Sequence, residues 1–175
     1  MAIVGVMGSG NEASKGRARV LGQWLAREHV HLLTGGGGGL MEAVSRAFHE
    51  TPGRSGRVLG ILPGIEAPRF GDPGPYPNPW VEIPIYTHLP LSGLEGTETG
   101  SRNHINVLTS DVIVALAGGA GTASEVTLAV KYERPVIAFL DSPGDIPNLP
   151  ENVRIESRFE AIQAFVRGAL RGRSE

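Results

Sequence analysis

The chain has 175 residues, 41% of them hydrophobic and 19% charged, with a formal net charge of −2. That balance fits one globular domain with a continuous core, and the interspersed charges form no basic stripe of the kind nucleic-acid binding requires. The absence of cysteine excludes disulfides, thiolate metal sites and a cysteine nucleophile, and leaves the compartment open.

In chain order, Met1 to Met7 is apolar but too short for a signal-peptide core or a membrane span, and it has no basic leader. A cytoplasmic protein with neither a membrane nor a nucleic-acid partner is therefore expected. A strand over Ile3–Met7 empties into Gly8-Ser9-Gly10, and a helix carries Val20, Leu21, Trp24 and Leu25 toward the core. A strand over Val30–Thr34 runs into Gly35–Gly39, followed by a helix with Leu40, Met41, Val44, Ala47 and Phe48 inward. Further strands are predicted at Arg57–Leu62, Val81–Tyr86, Asp111–Leu116 and Pro135–Leu140. The stretches Pro63–Pro79 and Thr87–Gly100 are long enough to be lids or plain surface insertions. Ser157-x-x-Glu160 reads as a capping box opening a last helix through Phe159, Ile162, Val166 and Leu170, with a fraying tail from Arg167. Strands alternating with amphipathic helices predict a single-domain α/β fold, a doubly wound, mainly parallel sheet with helices on both faces.

In such a sheet all three glycine segments, including Gly118-Gly119-Ala120-Gly121, fall at the carboxyl edge, where ligands bind across a topological switch point. Glycines let the backbone approach a ligand, and the free N–H groups and positive dipole end of a following helix favour phosphate. Gly8-x-Gly10-x-x-Ala13 fits a dinucleotide fingerprint, but the second strand ends in Leu33-Thr34 without the acid that ribose hydroxyls need. Lys15 lacks the Walker context, so a P-loop is also disfavoured. If the helix after Gly121 starts at Thr122, then Thr122-x-x-Glu125 is either a capping box or a phosphate-holding threonine with a glutamate facing ribose as general acid or base. Arg102, Asn106 and Thr109 share a face of the preceding short helix, with Ile105 and Leu108 beside them toward the core. An arginine opposing a helix dipole is better explained by an anionic ligand than by solvent. The histidines show no metal spacing, no metal site is predicted, and no serine-hydrolase elbow occurs.

These motifs resemble the LOG family, long labelled "possible lysine decarboxylase", within a wider LOG-like superfamily. Gly35–Met41 matches its GGG…GLM, Arg102 and Asp111 keep its spacing, and Gly118-Gly119-x-Gly121-Thr122-x-x-Glu125 matches the end of PGGxGTxxE. The resemblance implies a Rossmann-like fold, usually dimeric, and in characterised LOG enzymes hydrolysis of the N-glycosidic bond of a nucleoside 5′-monophosphate. Carried over, Arg102 and Glu125 would be the catalytic pair. Gly8, Ser9, Gly10, Gly35, Gly36, Gly37, Gly38, Met41 and Asn106 would surround the ligand, and Gly118, Gly119, Ala120, Gly121 and Thr122 would hold its phosphate. No pyridoxal-phosphate lysine site is recognisable, which disfavours decarboxylation.

Three departures point to another branch. Ala117 replaces the family proline, Asn103 replaces its lysine, and the Gly35–Leu40 stretch is one residue short. These features resemble the molybdenum cofactor carrier proteins, which bind a phosphorylated pterin. The sequence thus predicts a carrier-like binder of a phosphorylated pterin or nucleotide needing no cofactor for chemistry. The rivals are a phosphoribohydrolase and a nucleotide sensor with a protein partner.

Overall fold

The computed structural model describes residues 1–9, 14–64 and 76–172. The strands are β1 (Ile3–Met7), β2 (His31–Thr34), β3 (Val58–Leu62), β4 (Ile83–Tyr86), β5 (Val112–Ala115), β6 (Val136–Phe139) and β7 (Arg154–Glu156). The helices are α1 (Lys15–Leu25), α2 (Leu40–His49), α3 (Asn103–Thr109), α4 (Ala120–Lys131) and α5 (Phe159–Arg171). The strands form one parallel sheet in the order β4-β3-β2-β1-β5-β6-β7. This is the α/β, Rossmann-like, doubly wound architecture expected from the sequence.

Side-chain alternation along the strands distributes the core between two faces. Val4, Val6, Val112 and Val114 pack with Leu21 and Leu25 of α1, Val44 and Phe48 of α2, and Ile162 and Val166 of α5. On the other face Met7, Leu33 and Ile113 meet Val107 of α3 and Leu128 of α4, while Ala115 and Ala138 meet Val126. Central strands buried on both sides explain their near-continuous apolar sequence. The edge strand β4 is exposed along its whole length.

Several local expectations are corrected. Strand β7 was not predicted, because its three residues carry two charges on an edge position. Val20 and Leu108 are each 45% exposed, so of the four predicted α1 residues Leu21, Trp24 and Leu25 turn inward, and α3 uses Val107 instead of Leu108. Met41 is only half-buried. The capping box at Ser157 does not form: Arg158 is the N-cap, without a side-chain cap, and its N–H donates to Glu156 Oε1 at 2.9 Å. The region from Arg167 is helical as far as Arg171, held by Arg167 Nε donating to Glu28 at 2.9 Å.

Candidate functional site

The strand order reverses between β1 and β5, and the loops leaving those two strands are stitched together there. Ser9 N–H donates to the Ala117 carbonyl at 3.2 Å, and Gly119 N–H donates to Ser9 Oγ at 3.2 Å. Helix α4 then starts at Ala120, with Gly119 extended as its N-cap, no side-chain cap and no acid in its first turn. This decides against the capping box at Thr122: the helix begins two residues earlier than expected, because the extended Gly119 supplies the entry geometry. The first helical donor in α4 is Ala123 N–H, to the Gly119 carbonyl at 3.0 Å. The amides of Ala120, Gly121 and Thr122 therefore have no helical acceptor.

Gly121 and Thr122 open onto a cleft of about 210 Å³, with Gly8 and Ser9 beside them. Met41 and Tyr76 form another part of its wall, and Ser92 and Gly93 a third. Arg102, Asn103 and Glu125 complete the lining.

Arg102 caps α3 and is only 7% exposed. Its Nη1 donates to the Gly35 carbonyl at 2.5 Å and to the Ile61 carbonyl, so the guanidinium ties together the ends of β2 and β3. The buried Nε–H has no acceptor among the described residues, and the guanidinium carbon lies 5.7 Å from the Tyr76 ring centre. Glycine is needed opposite this clamp, since a Cβ at Gly35 would stand 2.7 Å from Arg102 Nη1.

Glu125 is nearly buried in the second turn of α4. Its Oε1 accepts from Asn106 Nδ2 at 2.7 Å. Burial pushes its carboxyl pKa up, against the opposing pull of the Arg102 charge and the Asn106 hydrogen bond. Asn106 lies fully buried behind it, and its carbonyl accepts from Ser110 Oγ at 2.8 Å.

The structure thus gathers Gly8, Ser9, Met41, Arg102, Gly121, Thr122 and Glu125 around one cleft. Gly118, Gly119 and Ala120 form the turn beneath it, with Gly118 N–H donating to the Asp145 carbonyl at 3.0 Å. Gly35, Gly36, Gly37 and Gly38 do not line it. Gly35 receives Arg102, and the next two are fastened by Asn78, whose N–H donates to Gly36 at 2.7 Å and whose Nδ2 donates to Gly37 at 2.9 Å. Gly10, Ala13 and most of the Pro63–Pro79 stretch lie outside the described residues. Asp111 sits at the opposite edge of the sheet, where its Oδ2 accepts from Ile3 N–H at 2.7 Å.

Four lining residues were not singled out as ligand contacts: Tyr76, Ser92, Gly93 and Asn103. The signal for three of them was the two long loops, since Tyr76 closes one and Ser92 and Gly93 belong to the other. That second loop is anchored: Ser124 Oγ donates to the Gly93 carbonyl at 2.8 Å, and His104 Nε2 lies 3.1 and 2.9 Å from the Thr97 and Glu98 carbonyls.

A second hollow of about 210 Å³, between α1 and α2, is lined by opposed charges including Lys15, Arg19, Glu42 and Arg46. Among the described residues no group of three or more His, Asp or Glu gathers to hold a metal, and no helix is long and apolar enough to cross a membrane.

Comparison with known proteins places this architecture. Residues 1–164 match the model of the SLOG cluster4 family. The chain belongs to the SLOG cluster4 family. An uncharacterized protein of Archaeoglobus fulgidus is 32% identical over 171 residues, 96% of this chain and 97% of the relative. Solved structures are similar over nearly the whole chain. The molybdenum cofactor binding protein of the phototrophic bacterium Rippkaea orientalis has a TM-score of 0.76 at 34% identity, covering 97% of each chain. The Moco carrier protein of Chlamydomonas reinhardtii has a TM-score of 0.75 at 29% identity, covering 98% of each chain. The expected likeness to the LOG-like superfamily, nearest the molybdenum cofactor carriers, therefore holds for this SLOG member.

Proposed function

We propose that this protein binds and carries a phosphorylated pterin of the molybdenum cofactor type in the cleft at the β1/β5 switch point. The observation that carries the reading is the open first turn of α4. Three backbone amides without helical acceptors sit at a positive dipole end whose first turn carries no acid, and Gly121 and Thr122 face the cleft. Thr122 adds a hydroxyl and Arg102 a nearby positive charge. The similarity to cofactor-binding and carrier proteins supports a pterin as the remainder of the ligand. The metal travels as part of the cargo, and the protein's grip falls on phosphate and ring. The reading includes a single-domain homodimer, in keeping with the superfamily pattern, and a cytoplasmic location, in keeping with the short apolar stretch Met1–Met7.

A second reading rests on Glu125. A buried carboxyl with a raised pKa, lining the same cleft as Arg102, has the character of a general acid or base, and it keeps the phosphoribohydrolase alternative alive. Incubation with a panel of nucleoside 5′-monophosphates beside a Glu125→Ala variant separates the two. The carrier reading expects no free base from either protein and tight binding of a phosphorylated pterin. Base release by the wild type and not by the variant would replace it with the hydrolase.

A further inference from the structure

The cleft has a second compartment, built differently from the anion end. Met41, from the first turn of α2, and Tyr76, just before the buried Asn78, converge on Gly37. A Cβ at Gly37 would stand 2.8 Å from the Met41 methyl and 3.0 Å from the Tyr76 ring. The missing side chain is what lets a thioether and an aromatic ring close on the same spot. Asn78 holds this arrangement through its hydrogen bonds to Gly36 and Gly37, and the Trp80 N–H donates back to Asn78 Oδ1 at 3.1 Å. Neither Met41 nor Tyr76 is fully buried, and both line the cleft. Neither offers charge to a phosphate.

We propose that Tyr76, with Met41 beside it, is the platform on which the planar heterocycle of the ligand stacks, and that it sets the preference for ring-bearing phosphates. This inference rests on the phosphate-binding reading above and adds to it the recognition of the ring. Three features of the chemistry fit. An aromatic face and a polarizable sulfur favour a flat π-system. Arg102, over the Tyr76 ring, fixes the tyrosine by a cation–π contact. Stacking also tolerates different heterocycles, so a pterin and a purine share this chemistry.

Isothermal titration with two probes tests it: the phosphate monoester of 6-hydroxymethylpterin, and glycerol 3-phosphate as a ring-free control. The wild type is expected to bind the pterin ester more tightly than glycerol 3-phosphate. Tyr76→Ala is expected to weaken the pterin ester by roughly 5- to 150-fold, the range found for stacked bases, while leaving glycerol 3-phosphate within about twofold. Tyr76→Phe is expected to retain the wild-type preference, since the ring face does the binding. Equal binding of both probes by the wild type, or equal losses for both in Tyr76→Ala, would overturn the platform and leave the phosphate site standing. Binding of neither probe by the folded wild type would remove the phosphate reading, and the platform with it. Circular dichroism of each variant distinguishes loss of contact from loss of fold.

Discussion

The two glycine loops on either side of β1 have nearly the same composition and opposite uses. After β2, the space over Gly35 is filled from within the protein by the Arg102 guanidinium, and the carbonyls of Gly36 and Gly37 are taken by Asn78. After β5, Gly119 has no atom within 4 Å of where its Cβ would lie, and the nearest atom to a Cβ on Gly121 is 3.9 Å away. Glycine at Gly35 therefore admits the protein's own arginine, and at Gly118 the Thr122 side chain, whereas Gly119 and Gly121 leave space open. A motif match cannot tell these apart, because it records the same residue in each case.

The largest effect is expected on the internally filled side. Arg102→Ala leaves the Gly35 and Ile61 carbonyls without their donor, and each unsatisfied buried acceptor costs about 1–3 kcal/mol. A loss of about 3 kcal/mol or more in urea unfolding is expected; a loss below about 1 kcal/mol would mean that the arginine serves the ligand alone. Next, Gly35→Val drives a side chain into the guanidinium and is expected to destabilise by about 1–3 kcal/mol, as overpacked cores do. Gly121→Val supplies the contrast: stability within about 0.5 kcal/mol, as for a surface position, with binding of the phosphorylated pterin abolished. If Gly121→Val unfolds the chain, or binds as well as wild type, the distinction between the loops fails.

A smaller effect separates a buried acid from a half-buried one. Glu125 has a folded-state pKa raised above 4.5, so ionisation costs the fold. Its contribution is most favourable below that value and is lost as pH rises through the folded pKa. Glu82 behaves in the opposite sense. Burial opposes its charge, but hydrogen bonds from Arg57, the Val58 N–H and Arg54 outweigh burial and hold its pKa below 4.5. Its stabilisation is present at higher pH and is lost as pH falls through the folded value. Glu125→Gln is therefore expected to gain stability relative to wild type from pH 4.5 toward neutrality, and Glu82→Gln to lose its disadvantage below pH 4.5. Thermal melts across that range check both signs.

Much of this was legible in the sequence where the physics is local. β1, β2, β3, β5 and β6 were found because central parallel strands are apolar on both faces, β4 by its β-branched and aromatic residues, and the parallel, doubly wound class by the alternation with helices. β7 escaped because Arg154-Ile155-Glu156 has no apolar run to announce it. The face errors at Val20 and Leu108 arose where an apolar residue flanks the true stripe by one position. Glu125 and Arg102 were visible as motif residues, yet the pairing of Glu125 with Asn106 joins residues 19 positions apart on two helices. Tyr76 had no motif at all: its role comes from Asn78 anchoring one loop onto another, a contact across 41 residues to Gly37.

The fastening of the loop around Gly93 carries a last consequence. With Ser124 and His104 bonded to its carbonyls, that wall is ordered by contacts within the protein itself, and the entropy of fixing it belongs to folding. A ligand entering beside it has little left to organise on that side, so its affinity is not diminished by ordering that wall. Departure of a bound molecule need not wait for that wall to open.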